Sequence, residues 1–266
     1  MMRKVISGAI VAAAIALAGN AAAGEKDWGS YQVGDIRSGY TYATAATRGI
    51  QDEDIMNPAM LWVDQGEDLW SKVDGEAGKA CANCHNVASK TMATVGARYP
   101  VFEPSIGKMM NIEQRINQCR VQRMKAKPFK WESAEMLSMT SYVRFQSRGV
   151  PMNVTIDGDA KPYFEKGKAF YNQRRGLLDM ACAGCHVENA GNMIRANLLS
   201  QGQSNGFPTY RLKWQKPGSI HRRFRGCNKQ VRAQPYAYGS DEYTNLELFL
   251  AWKGRGLPVE TPAVRN

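Results

Sequence analysis

The chain has 266 residues, with 35 Lys and Arg against 24 Asp and Glu, a net charge of +11. That length allows one or two domains of ordinary size, each able to bury a core. The basic balance points to anionic partners, and nothing beyond residue 24 is apolar for long enough to cross a bilayer.

The first residues are a targeting signal. Arg3 and Lys4 form a basic start, Val5 to Gly19 an apolar run, and Ala21-Ala22-Ala23 a small-residue site for cleavage before Gly24. That order predicts a secretory signal peptide over residues 1–24. The apolar run is shorter than the roughly 20 residues a membrane-spanning helix needs. The mature protein is therefore expected to be periplasmic, in an oxidising compartment, with no membrane span and a charge of about +9. Export argues against nucleic acid as the anionic partner.

Residues 25–60 read as an N-terminal extension that wraps the core. The remainder is an internal repeat. Cys81-Ala82-Asn83-Cys84-His85 and Cys182-Ala183-Gly184-Cys185-His186 lie 101 residues apart, and two lone cysteines, Cys119 and Cys227, lie 108 apart. Fifteen residues before the first motif cysteine stands a glycine in each half, Gly66 and Gly167, followed four residues later by Trp70 and Tyr171. Amphipathic helices are predicted over 133–145 and 241–252, capped by Ser133 and Asp241 and stopped by Gly149 and Gly254. The halves end alike, in Arg148-Gly149-Val150-Pro151 and Arg255-Gly256-Leu257-Pro258. Self-similarity in fixed order is the mark of duplication. Each unit reads as a helix, a C-x-x-C-H motif, a long irregular loop with the lone cysteine, then a closing helix. Little period-2 alternation is present, so few short strands are expected. The fold class is mainly α: two cytochrome c-like domains related by internal duplication, with long loops. The boundaries are 25–152 for the extension and first domain, and 153–266 for the second, with turn residues Asn153, Asp157, Gly158 and Asp159 near the junction.

C-x-x-C-H is the haem c attachment signature. Two thiols bond covalently to the macrocycle, and the adjacent imidazole reaches the iron. A four-cysteine zinc site competes, but its cysteine pairs sit about 15–20 residues apart, and each pair here is followed by histidine. Two covalently bound haem c groups are therefore expected, held by Cys81, Cys84, Cys182 and Cys185, with His85 and His186 as proximal ligands.

The opposite axial ligands have more candidates. Methionine fills that position in many cytochromes c, and Met124, Met136, Met139, Met152 and Met193 are available. His221 is the only histidine outside the motifs; it could instead be a distal ligand of the second haem or a proton-transfer group. Cys119 and Cys227 could form a disulfide between the halves. Against that, each half has its own cysteine at an equivalent place, four residues after an arginine, Arg115 or Arg223. Neighbouring cations favour the thiolate, the form that binds metal and attacks sulfur. Thiolate ligation of both irons, by Cys119 and Cys227, is the preferred reading. From residue 189 to 240 there is no Asp or Glu, while Arg195, Arg211, Lys213, Arg222, Arg223, Arg225 and Lys229 crowd around Cys227.

Two C-x-x-C-H motifs, each with a distal cysteine, resemble the SoxA family, the dihaem subunits of the SoxAX cytochromes of bacterial sulfur oxidation. The segment from His221 to Cys227 is similar to the family's active-site motif. The resemblance implies an L-cysteine S-thiosulfotransferase, which couples thiosulfate oxidatively to a cysteine of the carrier SoxYZ and passes electrons to haem. It implies axial pairs His85/Cys119 and His186/Cys227, a catalytic Cys227 that bears a persulfide, and Arg223 as the substrate-binding arginine. For a small dianion, the charges of Arg222, Arg225 and Lys229 are suited to electrostatic steering. It further implies a small monohaem partner, SoxX. Two readings stay open on the residues alone: a dihaem electron carrier without substrate chemistry, and a thiosulfate dehydrogenase that joins two thiosulfates.

Overall fold

The computed structural model describes residues 31–266; the signal peptide expected over 1–24 falls outside the described residues. In chain order, a two-stranded hairpin, β1 (Gln32–Val33) and β2 (Ile36–Arg37), leads into α1 (Ala45–Asp52). The first half then comprises α2 (Met60–Ser71), α3 (Cys81–His85), α4 (Ala88–Thr91), α5 (Val95–Arg98), the hairpin β3 (Val101–Glu103) and β4 (Lys108–Met110), α6 (Ile112–Cys119) and α7 (Ala134–Phe145). The second comprises α8 (Lys161–Asn172), α9 (Cys182–His186), β5 (Met193–Ile194), β6 (Asn197–Leu198), β7 (Thr209–Arg211), β8 (Lys216–Gly218), α10 (Ile220–Gln230) and α11 (Asp241–Lys253). A last strand, β9 (Ala263–Arg265), joins β7 in parallel. The structure is mainly helical, and its described strands are two or three residues long.

Each half is organised by one close helix pair, α2 on α7 and α8 on α11. Gly66 and Gly167 make these approaches possible. A Cβ on Gly66 would lie 2.3 Å from the Ser138 carbonyl oxygen, and one on Gly167 would lie 2.0 Å from that of Asn245. Both distances are far inside van der Waals contact. The aromatics that follow, Trp70 and Tyr171, are buried one turn on, each contributing on the order of 1.5–3 kcal/mol by removal from water. The glycine-aromatic repeat in the sequence is thus a packing device.

The two lone cysteines lie on helices, where loops were expected. Capping explains this. Asn111 accepts from the Gln114 amide at 3.0 Å while its own amide donates to Gln114 Oε1 at 2.9 Å, a reciprocal box that starts α6. Ser219 accepts from the Arg222 amide at 3.1 Å and starts α10. The stretch from lone cysteine to closing helix is one residue longer in the first half. A π-helical turn over Arg120–Met124 takes up the excess directly after Cys119, the usual way a helix absorbs an inserted residue. Downstream the halves are again in step. Ala77 donates to the Met124 carbonyl at 3.1 Å and Leu178 to that of Val231 at 3.3 Å, so the loop before each motif is tied to the end of its cysteine helix.

Other boundaries shift slightly. Ser240, rather than Asp241, caps α11 by accepting from the Tyr243 amide at 3.3 Å. Helix α7 ends at Phe145, ahead of Gly149. Gly149 instead begins the segment that pairs with the other half: its amide donates to Val259 at 2.9 Å, and Val259 donates back to Val150 at 2.9 Å. The two similar endings of the repeat therefore bond to each other. The described part of the N-terminal extension packs on the last residues of the chain, with Asn57 donating to the Pro262 carbonyl at 2.8 Å and Ser38 bonded to the buried Glu260.

Candidate haem centres and substrate site

In the second half, α9 places Cys182 and Cys185 one turn apart and His186 directly after them. The His186 ring is held at Nδ1 by the Ser200 carbonyl at 2.8 Å, which leaves Nε2 as its ligating atom. Gly202 backs the ring closely; a Cβ there would meet it at 2.9 Å. Cys227, on α10, lies beside His186, which acts on it electrostatically. Burial pushes the Cys227 thiol up, but Arg223, His186 and Arg211 together outweigh burial and bring it down to about 7. Cys182 moves the other way, to about 12, through burial and the nearby Cys227.

The first half repeats the plan. Cys81, Cys84 and His85 lie on α3, the ring of Trp70 packs 5.7 Å from that of His85, and Cys119 is electrostatically coupled to both Cys81 and Cys84. Here burial dominates and raises the Cys119 thiol, despite Arg115 and Arg123.

These arrangements fit haem c. Each half brings two thiols, an oriented or aromatic-backed imidazole and a facing cysteine to one place. A disulfide between the halves does not form: all six cysteines are free, and Cys119 and Cys227 each sit with their own half's motif. Among the described residues no cluster of three or more His, Cys, Asp or Glu could hold a metal ion by itself, so the four motif cysteines are not gathered as a zinc site. Met136, Met139 and Met152 are core residues, each at most 2% exposed. Met193 is exposed on β5 and Met124 is buried at the end of the π turn.

His221 points elsewhere. Its Nδ1 accepts from the Gly239 amide at 3.1 Å, so the ring proton is on Nε2, which faces Glu247 Oε2 at 3.1 Å without a hydrogen bond's alignment. Trp131 stacks on it at 5.0 Å. This is the seam between the halves, where Glu113 and Arg144 are also buried. Glu113 stands six residues before Cys119, as His221 stands six before Cys227. Burial, and then the neighbouring Glu247, push the Glu113 carboxyl up to about 8.

The cations around Cys227 separate into two groups. Arg222 is paired with Glu132 at 3.5 Å and packs on Trp214 at 4.3 Å. Arg225 donates to the Tyr236 carbonyl and lies 4.8 Å over Tyr238. Glu132 therefore offsets the charge of Arg222, whereas the contacts of Arg225 leave its charge in place. Arg223 has no carboxylate partner among the described residues, and it couples electrostatically to Cys227 and Cys185. Its counterpart Arg115 is fully engaged, donating to Tyr99 at 3.1 Å and to Gln118 at 2.5 Å and forming an ion pair with Glu103.

A mainly helical chain with a C-x-x-C-H turn in each half, opposite a cysteine-bearing helix, is a c-type cytochrome, and haem c is its cofactor. The chain belongs to the SoxA/TsdA cytochrome c family, whose domain model matches residues 65–152 and 166–259. It is 45% identical over 86% of its length to the L-cysteine S-thiosulfotransferase subunit SoxA of Pseudaminobacter salicylatoxidans, covering 80% of that protein. To the same subunit of Paracoccus pantotrophus it is 45% identical over 87% of its length, covering 79% of that protein. The crystal structure of SoxXA from P. pantotrophus superposes with a TM-score of 0.84 at 44% identity, covering 87% of each chain.

Proposed function

We propose that this protein acts as the SoxA subunit of an L-cysteine S-thiosulfotransferase in sulfur oxidation, with Cys227 as the reacting residue. One observation carries the assignment of the site: beside Cys227 stands Arg223, without a carboxylate partner among the described residues. Thiosulfate is a small dianion, and a partly buried guanidinium not paired with an acid is suited to hold it by charge-assisted hydrogen bonds.

The residues divide the work as follows. Cys81 and Cys84, and Cys182 and Cys185, would attach two haem c groups, and His85 with Cys119, and His186 with Cys227, would hold their irons. Each haem, when bound, supplies a one-electron acceptor. Arg223 binds the sulfonate end of thiosulfate and orients its sulfane sulfur toward Cys227 Sγ. The cations near Cys227 keep its sulfur in the thiolate form. Cys227 carries sulfane sulfur as a persulfide, a reversible state of cysteine. Joining a carrier thiolate to thiosulfate makes one S–S bond and releases two electrons, which must leave in two one-electron steps. The carrier is a SoxYZ-like protein with an accessible cysteine.

An apolar rim near the second motif supports a SoxX-like monohaem partner there. Leu177, Leu178, Met180, Val187 and Met193 are exposed, whereas the equivalent positions of the first half include Glu76, Lys79 and Asn86. Exposed apolar patches of this kind mark protein contacts. Periplasmic location follows from the signal peptide, and residues 25–152 and 153–266 form the two units of the mature chain.

Low-temperature EPR of the oxidised protein, with and without Cys227→Met, tests the ligand assignment. Two thiolate/imidazole low-spin ferric signals are expected, one of them lost in the variant. Signals of the His/Met or His/His type in the wild type would leave a dihaem electron carrier as the better account. Conjugate formation with purified carrier separates the transferase from a thiosulfate dehydrogenase.

A further inference from the structure

The surface beside the first C-x-x-C-H motif differs in charge from the surface beside the second. From residue 114 to 131 there is no Asp or Glu, and six cations stand there. Arg115 and Arg120 are neutralised, by Glu103 and Asp74. Arg123, Lys125, Lys127 and Lys130 are exposed and form no ion pair among the described residues. Lys79, exposed on the loop before Cys81, joins them. Asp74 donates to the Lys79 carbonyl at 3.0 Å, and in the same loop Glu76 and Ala77 donate to the Lys125 and Met124 carbonyls at 3.4 and 3.1 Å. Two exposed acids, Glu76 and Glu135, lie beside this basic belt.

The belt is pinned to the motif. Buried Arg120 donates from Nε to the Lys127 carbonyl at 3.0 Å, pairs with Asp74 at 2.6 Å and lies 3.6 Å over the Phe129 ring. Asn117 and Phe129 exchange two hydrogen bonds, at 3.0 and 2.8 Å. Phe129 packs on the same core cluster as Cys81 and Ala82 of the motif. The second half is built alike but charged differently. Met180 bridges Arg175 as Lys79 bridges Asp74, and Arg232 shares the left-handed backbone of Lys125, with φ of 57° and 55°. That register sets Gln230, Gln234 and Ala237 where the first half has Arg123, Lys127 and Lys130. Only Lys125 keeps a cationic counterpart. One motif is thus edged by Leu177, Leu178 and Met180, the other by open cations. Apolar rims suit lasting contacts, whereas open surface charges speed encounter with an oppositely charged partner and make it sensitive to salt.

We infer that the belt of Lys79, Arg123, Lys125, Lys127 and Lys130 is a docking surface for a small electron-transfer protein with an acidic face, which meets this chain beside the first motif. The inference rests on Cys81, Cys84 and His85 holding a haem. The exchange is of one electron: ferrous iron in this half becomes ferric, and the acidic one-electron acceptor is reduced. No proton or further reactant is required. An anionic lipid surface has the same sign of charge, but a membrane-binding face combines its cations with inserted Trp, Phe or Leu. The exposed apolar residues from 120 to 130 are Val121 and Pro128.

Surface plasmon resonance on the oxidised holoprotein, in complex with its partner subunit, tests this with an acidic monohaem cytochrome c as probe and a basic one as control. The acidic probe is expected to bind and the basic one not. Raising the salt from about 10 to about 150 mM should weaken binding at least tenfold, as screening of exposed charges does. The triple variant Arg123→Glu, Lys127→Glu, Lys130→Glu should slow association roughly 10- to 100-fold. Its haem content and EPR signals should match wild type, which separates loss of the surface from loss of the fold. Carbodiimide, which joins a lysine amine to a carboxylate, should link the wild-type protein to the acidic probe at Lys79, Lys125, Lys127 or Lys130. This second readout decides the matter if the variant fails to fold. Links confined to Lys213, Lys216 and Lys229, a probe that does not bind, or a folded variant within twofold of wild type overturns this inference alone. Binding to phosphatidylglycerol vesicles but not to the acidic probe overturns it in favour of a membrane surface. A wild-type protein with no haem on Cys81 and Cys84 overturns the two-haem reading as well.

Discussion

The first and second halves share a frame and differ in the charge they leave unsatisfied. Both have a glycine that lets two helices touch, a C-x-x-C-H turn, a helix ending at or passing through a lone cysteine, and an arginine one turn before that cysteine. In the first half Arg115 is spent on Glu103, Tyr99 and Gln118. In the second, Arg223 has no carboxylate partner among the described residues and acts electrostatically on Cys227. Duplicated scaffolds can thus be told apart by following each equivalent charge to its partner. The half whose charges are left open can hold an anionic substrate.

The largest effect should come from exchanging the two cysteines' roles. Cys227→Met is expected to lower coupling of thiosulfate to carrier by roughly 10³-fold or more, as removal of a reacting side chain does. Cys119→Met should leave coupling within about tenfold of wild type if only the second half binds substrate. Equal losses would break the comparison. Next come the arginines. Arg223→Ala should reduce kcat/KM for thiosulfate roughly 10- to 100-fold, with both haem signals retained. Arg115→Ala should leave KM for thiosulfate unchanged and lower the melting temperature, since it strands Glu103.

The helix contacts probe what the halves share. Gly66→Ala and Gly167→Ala should each destabilise the holoprotein by about 1–3 kcal/mol or more in urea unfolding, as overpacking does. A large cost at one site and none at the other would mean that the two helix pairs are not equivalent. The smallest effect concerns the seam. A carboxyl held near 8 in the fold and near its ordinary value when unfolded binds more protons folded than unfolded, so stability falls as pH rises between those values. Glu113→Gln should flatten that fall, which has an upper slope of about 1.4 kcal/mol per pH unit for one proton. Unfolding curves at pH 5, 7 and 8 would show it, and an unchanged pH profile would remove Glu113 from the account.

The sequence by itself determined the parts of this protein that depend on neighbours along the chain. Covalent haem attachment needs two thiols and an imidazole within one helical turn, so the motifs Cys81 to His85 and Cys182 to His186 stood out in the sequence, and each does form such a turn. So were the duplication, the closing helices and the equivalence of Cys119 with Cys227, because a repeat preserves spacing. Glu103 and Arg211 also share the offset of the two cysteines, but nothing local marks either residue. Only the tertiary structure decided which charges stay open. It gave Arg222 to Glu132 and turned His221 toward Glu247, contacts that span 90 and 26 positions of chain. It also made helices of the segments bearing the lone cysteines, through caps at Asn111 and Ser219 whose loop-like neighbours had hidden them. Neutralisation of a charge acts through space over a few ångströms, and the distance between two side chains is set by packing, which no spacing along the chain records.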